Sequence, residues 1–461
     1  MASTNLVILV PNCINFLWAR RAQMENKTLS EPNLSLLERI LTAVSALQHR
    51  NYRLYFFGLL ISVTGFQMLL VIQGWLVWDI TGDPSSLAFL GGVTAAPTVI
   101  LNLFGGVVAD RFNQRYLIMI VQGAIGLLLA ALATLVYLDA AGLMQLELWH
   151  ILLLSFLIAG TQSFDNPARQ ALYPHLINRK DLMNAVALNT VIWQVTRIIG
   201  PVLAGALIAT AGAWIALYVA AVSFGCMVIA MIAINVPPIA RSKAGNVLQS
   251  MGEGIGFVIH NHIFAFLIGM TFLNSFFGMS YIILLPIYAT DILDVGPEGL
   301  GNMYAVGGIG AFAIVAIAAA LSKSHLKGFY LITGAVVFGI SIMLFAYSTN
   351  YYWSLLMLFV GGAAATFYMV LVQTTLQALV PDNIRGRVFS IYSLTWSLLP
   401  LGAFQAGLVA DWVNPEFAIG LGGFIVASVA LIVILTSHQV RTMGAVTQQA
   451  LESIEPHGRV S

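Results

Sequence analysis

Apolar residues fill the chain from about residue 54 to residue 436 in long blocks. Short clusters of charged residues, glycine and proline separate those blocks. A helix that rises ~1.5 Å per residue needs ~20 apolar residues to cross ~30 Å of hydrocarbon. Cutting the chain at its polar clusters yields twelve blocks of that length: 54–79, 86–109, 116–138, 148–167, 185–209, 214–235, 263–289, 299–321, 327–347, 352–377, 388–412 and 416–436. The pattern predicts an all-α membrane protein of twelve transmembrane helices. Several blocks contain Gly, Pro or polar residues, which a spanning helix tolerates where neighbouring helices satisfy the freed backbone groups. Upstream, the apolar run 5–18 is too short to span, and its charges follow rather than precede it, so it does not read as a signal peptide. Either Met1 or Met24 serves as the start. Residues 36–47 have apolar positions at helical spacing and are expected to lie along the membrane surface.

Composition agrees: 59% of the 461 residues are hydrophobic and 8% charged, against about 25% charged for a soluble domain. The distribution of charge adds the orientation. Alternate connections hold Arg111 and Arg115; Arg169, Arg179 and Lys180; Arg241 and Lys243; Lys323 and Lys327; Arg385 and Arg387. The remaining connections hold no Lys or Arg but carry Asp79, Asp83, Asp139, Glu147, Asp291, Asp294, Glu298, Asp411 and Glu416. The positive-inside rule places the basic set and both termini in the cytoplasm, with the chain in the cell membrane. A net charge of +1 gives no sign of nucleic-acid binding. Cys13 and Cys226 imply no disulfide framework, and His260 and His262, two apart, face different sides of a helix; no metal or cofactor is expected. The absence of a Gly-x-x-x-x-Gly-Lys-Ser/Thr loop argues against ATP-driven pumping, and no nucleophile–base pair within the blocks points to an enzyme.

The two halves echo each other. Gln170–Pro174 reappears as Gln377–Pro381, and Trp193, Gly200 and Gly205 correspond to Trp396, Gly402 and Gly407. This supports two parallel six-helix repeats. The expected organisation is a cytoplasmic arm at 1–50, one bundle at 51–235, a linker at 236–262, a second bundle at 263–437 and a tail at 438–461.

The stretch Gly105–Arg115 reads Gly-Gly-Val-Val-Ala-Asp-Arg-Phe-Asn-Gln-Arg and joins the second and third blocks. Its Gly-x-x-x-Asp-Arg-x-x-Gln-Arg pattern resembles the loop signature of the major facilitator superfamily. Leu47–Leu54, Trp75–Gly82, Asp165–Gln170, Arg197–Gly205 and Arg385–Val388 resemble the branch of that superfamily containing enterobactin exporters and macrolide-efflux proteins. The resemblance implies secondary transport of a small amphipathic molecule by alternating access, with export coupled to proton entry and a monomer as the working unit. A metabolite importer or lipid flippase of the same fold, or a receptor or scaffold that moves nothing, are the competing readings.

Within that framework Gly106, Asp110, Arg111, Arg115, Arg385 and Arg387 are candidates for a gate, with Asp110 meeting the start of the eleventh helix. Arg197, Gly200, Pro201 and Gly205 resemble an antiporter motif in which Thr196 and Ala204 replace two glycines. Small residues permit close helix approach and Pro201 bends the helix. Polar residues within the blocks mark an expected cavity: Gln67, Asn102, Gln162, Asn189, Gln194, Arg197, Asn274, Gln373, Tyr392 and Trp396. Asp79, Asp165 and Asp291 are the candidate proton carriers, each expected near a block's end. By helical rise Arg197 falls close to the midplane, where a charge costs at least ~2.5–3.5 kcal/mol unless it meets water or a partner. It is expected to hold an anionic or acceptor-rich part of the substrate.

Overall fold

A computed structural model describes residues 45–178, 181–235, 247–322, 324–381 and 384–436. The amino-terminal arm before residue 45, Arg179, Lys180, Lys323, Asp382, Asn383, residues 236–246 of the linker and the tail from residue 437 lie outside the described residues. The described chain contains twelve helices long and apolar enough to cross a membrane, as the sequence predicts. They are Arg50–Thr81, Pro84–Asn102 continuing as helix to Arg111, Gln114–Ala140, Leu148–Leu176, Leu182–Ala211 and Ala213–Ala233 in the first half. The second half holds His262–Ile292, Gly296–Leu321, Lys327–Ala346, Tyr351–Leu379, Arg385–Trp412 and Pro415–Thr436. They are called the first to twelfth spans below.

Local chemistry sets several of their ends. Gly82 closes the first span in the left-handed conformation (φ 56°), and the Asp83 side chain caps the second by accepting from the Ser85 amide. Asn113, Asn261 and Asn350 cap the third, seventh and tenth spans in the same way. Between the halves, Val247–His260 forms a further helix, whose Gly254 sits where an added methyl would lie 3.1 Å from Cβ of Arg387.

Two spans depart from expectation by more than shifts of up to four residues at their ends. The fourth does not stop at residue 167: it turns at Ser163–Phe164 and continues to Leu176. Arg169, beyond the predicted end, therefore lies within the span together with Asp165. The seventh is irregular. It is α-helical over His262–Leu273, π-helical over Asn274–Gly278, a 3₁₀ helix over Met279–Leu284, and π-helical again over Tyr288–Ile292.

Small residues bring the spans into contact. Within the first half Gly58 and Gly65 lie against Ala230 and Ser223 of the sixth span; within the second, Gly339 meets Gly423 and Gly362 meets Gly307. Between halves, a methyl on Gly205 would lie 2.4 Å from the Pro297 carbonyl, and one on Gly301 would lie 2.5 Å from that of Pro201. Gly407 abuts Ala88 and Gly91 abuts Pro400 and Phe404. The fifth span thus packs on the eighth and the second on the eleventh, which is the pairing a twofold relation of the halves requires. These contacts lie toward the face that carries Asp83, Glu147, Asp294 and Glu416. On that acidic face Trp78 also donates its indole N–H to Thr290 Oγ1 at 2.7 Å, so the halves are closed there.

Candidate functional site

Three polar groupings lie inside this packing. The first is on the fourth span. Asp165 and Arg169, one helical turn apart, form an ion pair at 2.7 Å, and their side chains are 3% and 8% exposed. Gln122 of the third span donates to Asp165 Oδ1 at 2.8 Å, and Gln162 to Oδ2 at 3.4 Å. Arg169 Nη2 reaches Ser62 of the first span at 3.3 Å, and Ser62 donates to Gln122 Oε1 at 2.7 Å. The buried Tyr55 lies within electrostatic range of both charges. Ser62 is twelve residues into the first span, so the pair sits ~18 Å from that span's basic end. This corrects the expectation that Arg169 belongs to a connection, since the fourth span runs on to Leu176. The i, i+4 spacing of the two charges was the available signal.

The second grouping surrounds Arg197, midway along the fifth span and half-buried. Among the described residues it has no carboxylate partner; Asp165 is taken by Arg169. Tyr281 of the seventh span lies within electrostatic range of Arg197. Tyr304 of the eighth lies close to Tyr281 and donates to the Ile282 carbonyl at 2.9 Å. The backbone of Arg197 borders Gly308 of the eighth span. Arg197 is therefore where the halves meet. Of the rest of the antiporter-like motif, Gly200 packs on Thr64 and Gln67 of the first span, while Pro201 and Gly205 face Gly301.

The third grouping is a link between halves: Asn102 Nδ2 donates to Ser397 Oγ of the eleventh span at 2.7 Å. Other expected cavity residues have separate surroundings. Gln67 is buried beside Gly200, Gln194 half-buried and Gln373 exposed. Tyr392 is buried beside Trp396. Asn189 Oδ1, Gln162 Oε1 and both amide atoms of Asn274 are buried without a hydrogen-bond partner among the described residues.

The expected gate residues lie toward the basic ends of the second, third and eleventh spans. Arg115 donates from Nε to the Met231 carbonyl at 2.8 Å and from Nη2 to Ile232 at 3.0 Å. It thereby caps the carboxyl end of the sixth span, where free carbonyls and the helix dipole favour a cation. Arg111 is exposed at the end of the second span's helix, and Arg385 donates to Val380 O at 3.5 Å. Gly106 and Asp110 lie in the same helix as Arg111, with side-chain surroundings outside the described residues. Asp79 and Asp291 are exposed near the acidic ends of the first and seventh spans, and Thr290 donates to the Asp291 carboxylate. No cluster of metal-ligating side chains occurs among the described residues.

A lateral groove of ≈ 600 Å³ runs between the second, third and fourth spans. Pro97, Leu101, Ile120, Phe156 and Phe164 line it, apart from Thr161 with apolar side chains. Its chemistry suits an acyl chain and differs from the polar groupings above.

Residues 41–458 match a family model described as a transmembrane secretion effector. The chain is 25% identical over 375 residues to the multidrug efflux pump Tap of Mycolicibacterium fortuitum, covering 78% of this chain and 88% of that protein. It is 23% identical to the enterobactin exporter EntS of Citrobacter koseri, covering 89% and 95%. A bacterial homologue of the iron transporter ferroportin in its inward-facing state superposes with a TM-score of 0.65 at 18% identity, covering 83% of this chain and 98% of that one. An inward-facing bacterial homologue of the lysosomal transporter Spinster gives 0.64 at 12%, covering 89% and 98%.

Proposed function

Since this chain belongs to the transmembrane secretion effector family of major facilitator transporters, we propose that it exports an amphipathic small molecule across the cell membrane by alternating access, driven by proton entry. The observation that carries the reading is Arg197. Unlike Arg169 and Arg115, which meet a carboxylate and backbone carbonyls, Arg197 has no such partner among the described residues and stands at the junction of the halves beside Tyr281. A half-buried guanidinium offers five donors in a plane, so the cargo's anionic or acceptor-rich end binds there. Aromatic side chains around it, Tyr281, Tyr304 and Trp193, suit the apolar remainder. Export is supported by the relatives named as an efflux pump and an enterobactin exporter.

The positive-inside rule makes the basic face cytoplasmic, with both termini on it. In the conformer described, the opposite, acidic face is closed by the contacts of Gly205 with Pro297 and Gly407 with Ala88. This is the state that loads from the cytoplasm. For the proton we assign Asp165, buried against Arg169. Protonating it removes the only counter-charge that Arg169 has among the described residues, and the arginine's donors then turn toward Ser62 and Gln122, already in the network. The first, third and fourth spans would shift together, and the halves would rock.

The test is efflux in everted membrane vesicles. An imposed proton gradient should drive uptake of labelled erythromycin or enterobactin into vesicles containing the protein, and collapse of the gradient should stop it. Uptake that ignores the gradient would remove proton antiport; no uptake of any such compound would remove the export reading.

A further inference from the structure

We propose that the π-helical turn Asn274–Gly278 of the seventh span is a recognition subsite for an uncharged group of the cargo that both donates and accepts a hydrogen bond, such as a carboxamide. The proposal rests on the transport reading. Asn274 is 1% exposed and Ser275 fully buried. Among the described residues neither amide atom of Asn274 has a hydrogen-bond partner, and the Ser275 hydroxyl has none either. Buried polar groups in native proteins are nearly always paired, so two adjacent exceptions call for a specific explanation. Partners are not generally scarce here: one turn earlier, Thr271 bonds to the Leu267 carbonyl at 2.8 Å and meets the Tyr368 hydroxyl at 3.3 Å.

The backbone at the site is unusual too. The Met279 amide bonds back to the Asn274 carbonyl, closing a five-residue turn. Single π turns inside helices occur frequently at functional sites. The turn is held from the other spans, since the Phe276 carbonyl would lie 2.2 Å from a methyl on Gly402 and that of Phe277 2.4 Å from one on Gly422. Phe272 stacks on Phe276 with centroids 5.4 Å apart, which adds an aromatic surface beside the polar atoms.

The chemistry of the occupant follows from both ends of the amide being free. A cation would satisfy Oδ1 and leave the NH₂ unpaired; an anion would do the reverse. A second amide satisfies both in one two-point contact, and the Ser275 hydroxyl adapts to either sense. The subsite therefore complements Arg197: one takes the acceptor-rich or anionic end of the cargo, the other a neutral polar group.

Chloramphenicol is the probe, being uncharged with one secondary amide and two hydroxyls; ethidium, a cation without a carbonyl, is the control. Full-length protein in nanodiscs would be compared with Asn274→Leu and Ser275→Ala by equilibrium binding and thermal unfolding. Asn274→Leu removes both orphaned atoms at similar volume, so its unfolding midpoint is expected to equal or exceed that of the wild type. Chloramphenicol affinity should fall at least tenfold in Asn274→Leu and several-fold in Ser275→Ala, with ethidium affinity unchanged. A lowered midpoint with equal loss of both ligands would make Asn274 a structural residue and overturn the proposal. Equal chloramphenicol binding by wild type and Asn274→Leu, including none by either, would leave the site to water and overturn it as well. Ethidium efflux in vesicles separates the two readings. Efflux without any effect of Asn274 on chloramphenicol leaves transport standing alone, whereas chloramphenicol binding that depends on Asn274 without efflux of any compound leaves the subsite standing alone.

Discussion

The Asn102 amide donates to the Ser397 hydroxyl at 2.7 Å, and Ser397 is the last residue before the eleventh span breaks at Leu398. The bond therefore ties the second span to a hinge in the other half. Pro400 follows in the first turn of the next helical segment, where its missing N–H costs nothing. The proposed rocking of the halves would stretch this link. Asn102→Ala and Ser397→Ala should each destabilise this conformer by ~0.5–1.5 kcal/mol, the net worth of a typical buried hydrogen bond. The double variant should cost no more than either one. A double-mutant cycle on thermal unfolding measures this, and additive effects would show that the two side chains act separately.

Asp165 and Arg169 behave as a unit. Removing one charge from a buried pair typically costs ~3–5 kcal/mol because the other is left uncompensated. Asp165→Asn should therefore lower the unfolding temperature strongly. The double replacement Asp165→Leu with Arg169→Met should recover most of it, while proton-driven uptake stays lost. Retained gradient-dependent uptake in the double variant would move the proton site elsewhere.

At Arg197 the expected pattern is different. Arg197→Lys and Arg197→Gln should both insert and fold, since no ion pair is lost, and lysine should preserve more affinity for an acidic cargo such as enterobactin than glutamine does. A fall in folded yield with unchanged affinity in the surviving fraction would make Arg197 structural.

Gly205→Val places a side chain where even a methyl would meet the Pro297 carbonyl at 2.4 Å. The acidic face should then fail to close. A cysteine introduced at Thr210, near that end of the fifth span, should become more reactive toward a membrane-impermeant thiol reagent, and transport should fall at least tenfold. Unchanged labelling would mean that the fifth and eighth spans part easily at no functional cost.

Asp83 caps the second span outside the membrane. Hydrogen bonds from the Ser85 side chain, and then from its amide, hold the Asp83 carboxyl below the usual carboxylate range. A folded-state value below the unfolded one means that the cap stabilises above about pH 4, the ordinary value, and is lost as pH falls through the folded-state value. Asp83→Ala should cost ~1 kcal/mol near neutral pH. The difference from wild type should shrink on acidification in a pH series of unfolding midpoints.

Hydropathy alone determined the number of spans, because each helix in hydrocarbon must satisfy its own backbone and so must carry its own apolar block. The basic and acidic faces were legible for a similar reason, since nearly every charge is left where water can reach it. The glycine pairs were visible as small residues, and the repeat hinted at which spans correspond. Partners of polar side chains were not legible. Arg115 has the same composition signal as Arg111, yet it caps the sixth span from 116 residues away in sequence. Arg169 reads as a loop arginine until the turn at Ser163–Phe164 carries the fourth span past it and the third brings Gln122 to its counter-ion. A buried charge or amide is settled by what the other spans place beside it, and only the tertiary packing fixes that.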